Sequence, residues 1–308
     1  MPRIIHTAQG LVDQLVSVPN LPVRGLNTVA ERVSLEAGGA VNVLVAAARS
    51  GAEAVHAGTV GEGRNGELIR AALATAGVTI SSPAFQGMDT GICIVLLEPN
   101  AERTFITQQG AEREISVESL QSSEPRAGDY VCISGYTLQG KTKEPLVQWL
   151  NVLPPGVHVV LDPGAAFAEL DEETQKAVLL ITDIWTSNAQ EAESLTGVAE
   201  MMDSAELVAE LMGESAVAIV RDGPRGCAVH TSGKTTAIPG FPKKPIDTNG
   251  AGDAHTGTLV AELCSGNDIY SACRRANAAG AIKVTRSGPA TAPTRAEIDY
   301  FLATQPIG

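Results

Sequence analysis

The sequence predicts an α/β fold: a mostly parallel sheet with helices on both faces, and a small β flap beside it. Short apolar runs alternate with amphipathic stretches through most of the chain, the order that generates strand–helix–strand crossovers. The apolar runs end in small or polar residues, as buried strands do. Two regions interrupt the alternation and read as extended chain.

The first interruption spans residues 10–36, where Pro19, Pro22 and Gly25 occur with little helical period. "VHAGTVG" then reads as a strand and "GELIRAALATAG" as a helix closed by a glycine. The second interruption, "TGICIVLLEPNAERTFITQ" at 90–108, reads as two extended segments joined at Pro99-Asn100. "YVCISG" and "VHVVLDP" follow as strands, with a helix between them over 144–150. "DIWTSN" and "AVAIVRDG" are further strands; "AELVAELMG" and "TGTLVAELCSG" are helices, again closed by glycine. "HTSGKTT" lacks the first glycine of a phosphate loop and reads as a hairpin turning at Ser232-Gly233. One domain over 1–308 accommodates these elements, the segments at about 10–36 and 90–108 forming the flap. In such folds ligands belong at the carboxyl ends of the strands.

Composition narrows the function. Of 308 residues, 44% are apolar and 19% charged, enough for a substantial core. The net charge of −13 argues against nucleic acid, and an anionic substrate must be held by local features against the overall field. The five cysteines are scattered without a C-x-x-C pair and read as small buried residues in a reducing compartment. With no apolar leader at the N-terminus and no run of membrane-spanning length, the expected location is the cytoplasm.

Two stretches compete as phosphate sites. "ISGYTLQGKTKE" contains G-x-x-x-x-G-K-T, the spacing of a phosphate-binding loop, with Asp162 downstream as a magnesium-holding acid. Yet Tyr136 and Leu138 would crowd backbone that must curl around phosphate, so Lys141 and Thr142 are expected at a solvated helix start. "DTNGAGDAHTGTLVAEL" is the stronger candidate. Gly250, Ala251 and Gly252 expose backbone N–H groups where an apolar helix begins, which makes an anion site. Asp253 in the first turn is placed to take a proton from a nucleophile beside that anion. A plain capped glycine turn is the alternative. His6, His56, His158 and His230 lie in apolar runs and read as satisfied core or strand-end residues, and the acids of "GAEREISVES" as a solvated face.

"DTNGAGDAHTG" resembles the signature D-T-x-G-A-G-D-x-F of the ribokinase-like carbohydrate kinases, the phosphofructokinase-B type of sugar and nucleoside kinases. "GGAVNVLVAAARSGAEAVHAGTVGEGRNGELI" resembles their N-terminal signature, and "NAQE" their N-x-x-E motif. "VRDGPRG" and "ANAAGAIKVTRSGPATAP" resemble their nucleotide-side segments, in the family's order. The resemblance implies a ribokinase-like three-layer sandwich with a β lid that often pairs between subunits, hence a homodimer. It implies Asp253 as the base and the N–H groups of 250–253 as the anion hole. Asp13, Gly39 and Asn42 would hold sugar hydroxyls, with Tyr136 near the pocket. Asn188 and Glu191 would organise phosphate and magnesium-bound water; Arg221, Gly223, Arg225, Gly226, Gly252 and Asn277 would line ATP. Asp247, Asn249, Lys283, Arg286, Gly288 and Thr291 match loops that bind a monovalent cation such as K⁺, several through carbonyls.

His255 departs from the family, standing where an aromatic is usual; a packed helix residue is expected there rather than a second base. "GGAVN" is one residue shorter than the common G-G-x-x-x-N. Ala40 and Val41 stand where relatives using sugar phosphates would place a lysine, so the expected acceptor is unphosphorylated. The reading is therefore an ATP-dependent, Mg²⁺-using sugar kinase. A nucleoside kinase of the same fold is the near alternative; a P-loop NTPase or a non-catalytic sugar sensor belongs to other classes.

Overall fold

The computed structural model describes residues 1–100, 102–213 and 215–305; Ala101 in the 90–108 segment and the end of the 1–308 span lie outside the described residues. Its strands in chain order are β1 (Arg3–His6), β2 (Gly10–Ser17), β3 (Arg32–Gly39), β4 (Glu53–His56), β5 (Thr79–Ile80), β6 (Ile92–Leu97) and β7 (Arg103–Gln108). They continue with β8 (Tyr130–Ser134), β9 (His158–Asp162), β10 (Ile184–Asn188), β11 (Val217–Arg221), β12 (Gly226–Thr231) and β13 (Lys234–Pro239).

Nine of these form one sheet in the order β13-β12-β11-β10-β9-β8-β1-β4-β5. Every neighbouring pair is parallel except β11–β12 and β12–β13, which form an antiparallel edge. The turn between the last two has positive φ at Ser232 and Gly233, matching the strand twist of a hairpin as expected. Successive strand residues feed opposite faces. Ile4, Cys132, Val160 and Ile219 pack with helices Ala40–Arg49, Ala251–Cys264 and Ile269–Lys283. Ile5, Val131, Leu161 and Val220 pack with Lys143–Leu150, Glu172–Leu180 and Met201–Met212. Strands buried on both faces explain why those runs are apolar throughout. This is the three-layer arrangement expected.

The interrupting segments form a separate four-stranded sheet, β3-β2-β6-β7. Its register places Leu11, Asp13, Cys93, Phe105 and Thr107 toward the main cavity. The opposite face carries Val33, Leu35 and Ile106, which are exposed. In the main sheet "VHAGTVG" contributes less strand than expected: β4 ends at His56 and the chain turns away. His56 is the buried last residue of β4, a strand-end residue as expected, but neither ring nitrogen has a hydrogen-bond partner among the described residues. His6 is buried beside it, its Nδ1 accepting from the Ala8 N–H at 3.2 Å. Burial drives both imidazoles well below their ordinary pKa, to about 3 for His6 and about 4 for His56. Both are therefore neutral, as two imidazoles packed together must be.

Candidate active site

β1, β4 and β5 run to one side of the sheet and β8 to β11 to the other, so the order reverses between β1 and β8. A cavity of about 1010 Å³ opens at that switch point, between the strand ends and the small sheet. The terminal residues of five strands line it: His6, Ser134, Asp162, Asn188 and Arg221.

Asp253 stands at the floor, in the first turn of helix Ala251–Cys264. Gly250 caps that helix in the left-handed conformation, φ 75°. First-turn N–H groups have no intrahelical acceptor. That of Ala251 donates to the Thr248 carbonyl at 3.2 Å, so Ala251 is not the free anion-hole donor expected; Gly252 and Asp253 remain at the open helix end. Asn42 reaches from the facing helix and donates from Nδ2 to Asp253 Oδ2 at 2.9 Å. Burial, then the Asp162 charge, raise the Asp253 carboxyl to about 6, against the pull of Asn42, Arg221 and Lys283. Asp13 is raised likewise to about 6, by burial and then by Asp253 and Glu36. Both lie above the unfolded value of 3.8, so their stability contribution is full below about pH 4 and lost as pH rises through about 6.

On the side of the small sheet, Asp13, Gly39 and Tyr136 line the cavity. A side chain at Gly38 would collide with the Asp13 carboxylate, and Gly39 turns at φ 63° into the following helix. Asn42 is buried and spends its amide nitrogen on Asp253 rather than facing the cavity. The acids of "GAEREISVES" form the solvated face expected only in part: Glu118 is exposed, but Glu112 is not. Glu112 is buried and accepts from the Gly91 and Gly110 N–H groups at 2.6 and 2.8 Å. Arg113 lines the cavity, its guanidinium donating to Gln9 Oε1 and the Tyr136 carbonyl at 2.9 Å each, and to the Gln139 carbonyl.

On the opposite side, Asn188 and Glu191 form a reciprocal capping box. Asn188 Oδ1 accepts from the Glu191 N–H at 2.8 Å, and Glu191 Oε2 from the Asn188 N–H at 2.9 Å. N-x-x-E thus has a structural reason independent of ligands. Burial and then Asp162 raise the Glu191 carboxyl. Arg221 is a brace: Nε donates to the Ser187 carbonyl at 3.0 Å and Nη1 to the Gly252 carbonyl at 2.8 Å, with Asp162 3.6 Å away. Gly223 and Gly226 line the cavity with positive φ, whereas Arg225 pairs with Asp222 and borders an adjoining open groove. Asn277 lines the cavity, but its polar ends are engaged. Nδ2 donates to the Ile238 and Pro239 carbonyls at 3.1 and 3.3 Å, leaving Oδ1 to accept from His255 Nε2 at 3.2 Å. That arrangement places the His255 proton on Nε2. His255 is buried, a packed residue as expected.

The loops assigned to a monovalent cation do not fit one. Asp247 Oδ1 accepts from the Asn249 N–H and Oδ2 from the Gly288 N–H, each at 2.9 Å. Arg286 pairs with Glu297 at 2.6 Å and donates to the Thr291 carbonyl; Thr291 Oγ1 donates to the Gly288 carbonyl. Lys283 is fully buried, and its Nζ donates to the Asp247 carbonyl at 2.9 Å. An ammonium is itself a cation and cannot ligate another.

The G-x-x-x-x-G-K-T stretch forms two short 3-10 turns, not a phosphate cradle. Lys141 pairs with Glu114 at the surface. Thr142 is fully buried, donating to the Gln139 carbonyl at 3.0 Å, so it is not at a solvated helix start. Lys141→Ala is expected to leave nucleotide affinity and turnover unchanged, because an exposed ion pair contributes only about 0–1 kcal/mol. Loss of ATP binding in that variant would reinstate the loop.

Asp162 is the residue sequence reasoning placed with the wrong partner. It lies in this site, with Thr256 Oγ1 donating to Oδ2 at 3.4 Å. The signal was an acid ending a buried strand.

Comparison with known proteins finds similar chains over nearly the whole length. Residues 12–295 match the family described as pfkB family carbohydrate kinase. An uncharacterized sugar kinase of Escherichia coli (strain K12) is 31% identical over 298 residues, 96% of this chain and 92% of that protein. The ribokinase of Haemophilus influenzae is 31% identical over 300 residues, 94% of this chain and 95% of that protein. A solved putative ribokinase II from E. coli, in complex with ATP and Mg²⁺, superposes with TM-score 0.84 at 21% identity, covering 99% of this chain and 100% of that one.

Proposed function

The chain belongs to the pfkB family of carbohydrate kinases, and we propose that it transfers the γ-phosphoryl group of ATP to a hydroxyl of a small unphosphorylated sugar. One observation carries the reading: a carboxylate lining the cavity stands in the first turn of a helix whose N–H groups open into it. Asp253 takes the proton of the acceptor hydroxyl while its oxygen attacks the γ-phosphorus in line and ADP leaves. Gly252 and Asp253 N–H groups, with the helix dipole, stabilise charge developing on the transferred group. Arg221 holds the Gly252 carbonyl and fixes those donors. Asn42 orients the base.

Asp13, Gly39 and Tyr136 form the acceptor side, with the small sheet as its lid. Asn188, Glu191, Gly223 and Gly226 form the nucleotide side. Asp162 and Glu191, both lining the cavity, offer oxygen donors of the kind Mg²⁺ takes; they would hold the ion, which would offset charge on the phosphates. A neutral acceptor is favoured because Asp13 and Asp253 flank its place and Arg113 is already engaged by neutral oxygens. The exposed Val33, Leu35 and Ile106 on the outer face of the small sheet support a homodimer through that face. No helix of the described residues is long and apolar enough to cross a membrane, and the five free, buried cysteines suit the cytoplasm.

An ADP-release screen over neutral sugars, nucleosides and fructose 6-phosphate tests the acceptor. The expected result is fastest turnover on a neutral sugar. A nucleoside as best substrate establishes the near alternative, and fructose 6-phosphate ahead of every neutral acceptor contradicts the reading.

The raised carboxyls also set a pH profile. kcat/KM is expected to fall as pH drops through about 6, when Asp253 takes up its proton, and to fall more steeply than one proton allows because Asp13 titrates alongside. Asp13→Asn should leave a shallower acid limb. A flat profile down to about pH 5 contradicts Asp253 as base.

A further inference from the structure

The loops around Asp247 and residues 283–291 converge on an ammonium. Lys283 ends helix Ile269–Lys283 with 0% of its surface exposed. Nζ donates to the Asp247 carbonyl at 2.9 Å, approaches the Arg286 carbonyl at 3.5 Å and lies 3.9 Å from Asp247 Oδ2. Two backbone carbonyls and a carboxylate are the oxygen shell a monovalent cation would take. We propose that the Lys283 ammonium is a built-in replacement for that cation, so that the enzyme works independently of K⁺ and Na⁺.

The consequence for catalysis follows from what the shell supports, and it rests on the kinase reading above. Ile246 and Asp247 donate their N–H groups to the Val284 carbonyl at 2.7 and 3.1 Å. Gly288 and Asn249 donate theirs to the Asp247 carboxylate, which also meets Arg103 at 3.3 Å. Gly250 packs against Pro289 at the next step of the chain. The 246–250 segment that leads into the anion hole is therefore held on the 283–289 loop. Without a positive charge between them, the Asp247 carbonyl, its carboxylate and the Arg286 carbonyl would face one another unscreened. Lys283 supplies that charge covalently, from a helix end where a cation also meets the negative end of the dipole. It is a positioning residue; it acts on the transfer through the segment it holds. A free ion entering the same shell would be repelled by both the ammonium and the Arg103 guanidinium.

The test compares K⁺, Na⁺ and tetramethylammonium chlorides at equal ionic strength. For the wild-type protein, equal melting temperatures and equal kcat in all three are expected. A K⁺-specific rise in either overturns the proposal, since an ion that binds the native state raises its stability. The melting comparison needs no acceptor, so its failure is distinct from failure of the kinase reading. Lys283→Ala vacates the shell: kcat should fall by about 10²-fold in tetramethylammonium, the scale of a small misplacement of catalytic groups. K⁺ should restore part of that loss. Lys283→Met fills the space without charge and should be equally slow, with no rescue by K⁺. Full activity of Lys283→Ala in tetramethylammonium overturns the proposal. Should neither variant fold, the wild-type comparison decides alone.

Discussion

Asp253→Asn is expected to lower kcat by about 10²–10⁴-fold, the usual effect of removing a general base. The substitution keeps size and hydrogen bonding and leaves the helix start intact, so ATP affinity should be largely retained and the loss should fall on kcat. In the proposed reaction Asp253 takes the acceptor's proton, and no other cavity carboxylate stands in the first turn of that helix. Asp162 ends β9, Glu191 lies in the first turn of the helix after β10, and Asp13 belongs to the small sheet. Kinetics of the variant alongside Lys141→Ala separate the two candidate phosphate sites. A nearly silent Asp253→Asn with an inactive Lys141→Ala would reverse the assignment from the base outward.

Gly250→Ala is expected to lower kcat by about 10²–10³-fold, the scale of losing one oxyanion-hole donor. Gly250 adopts φ +75°, and a Cβ there would stand 2.5 Å from the Pro289 carbonyl oxygen and 3.0 Å from its carbon. Both are backbone atoms, so the collision is relieved only by moving the helix start, and with it the N–H groups of Gly252 and Asp253. The left-handed conformation adds about 1–2 kcal/mol of strain for any residue with a Cβ. Gly266→Ala is the matched control: φ is +83° at the other end of the same helix, with open space around the added methyl. Both variants should melt earlier, and only Gly250→Ala should lose kcat. Equal losses of kcat in the two would mean that global destabilisation, not the anion hole, explains the effect.

Much of the fold was legible because its strands are buried on both faces and so appear as unbroken apolar runs. β8 to β11 announce themselves in this way, each ending in a polar residue that proves to line the cavity. The glycine-rich helix start was equally legible, since small residues before an apolar helix have few other uses. What escaped was whatever depends on partners remote in sequence. Glu112 looked like a surface acid because nothing in "GAEREISVES" shows that the Gly91 N–H needs its carboxylate. Arg113 was invisible for the same reason: its partners include Gln9 and the Tyr136 carbonyl. Asn42 was assigned to the acceptor, whereas its partner Asp253 lies 211 residues along the chain. Lys283 was matched to a cation-binding loop by resemblance, and nothing in its own stretch of sequence shows where the ammonium goes. Only the packing of the Asp247 loop above it makes that ammonium internal.

The most direct test of the central claim is to follow ADP and phosphomonoester together, with and without an acceptor alcohol. A base and anion hole built for transfer to a hydroxyl predict that both products appear only when an acceptor is added, in equal amounts. ADP accumulating with inorganic phosphate at the same rate in the absence of acceptor would mean that water is the true nucleophile, and would contradict the account.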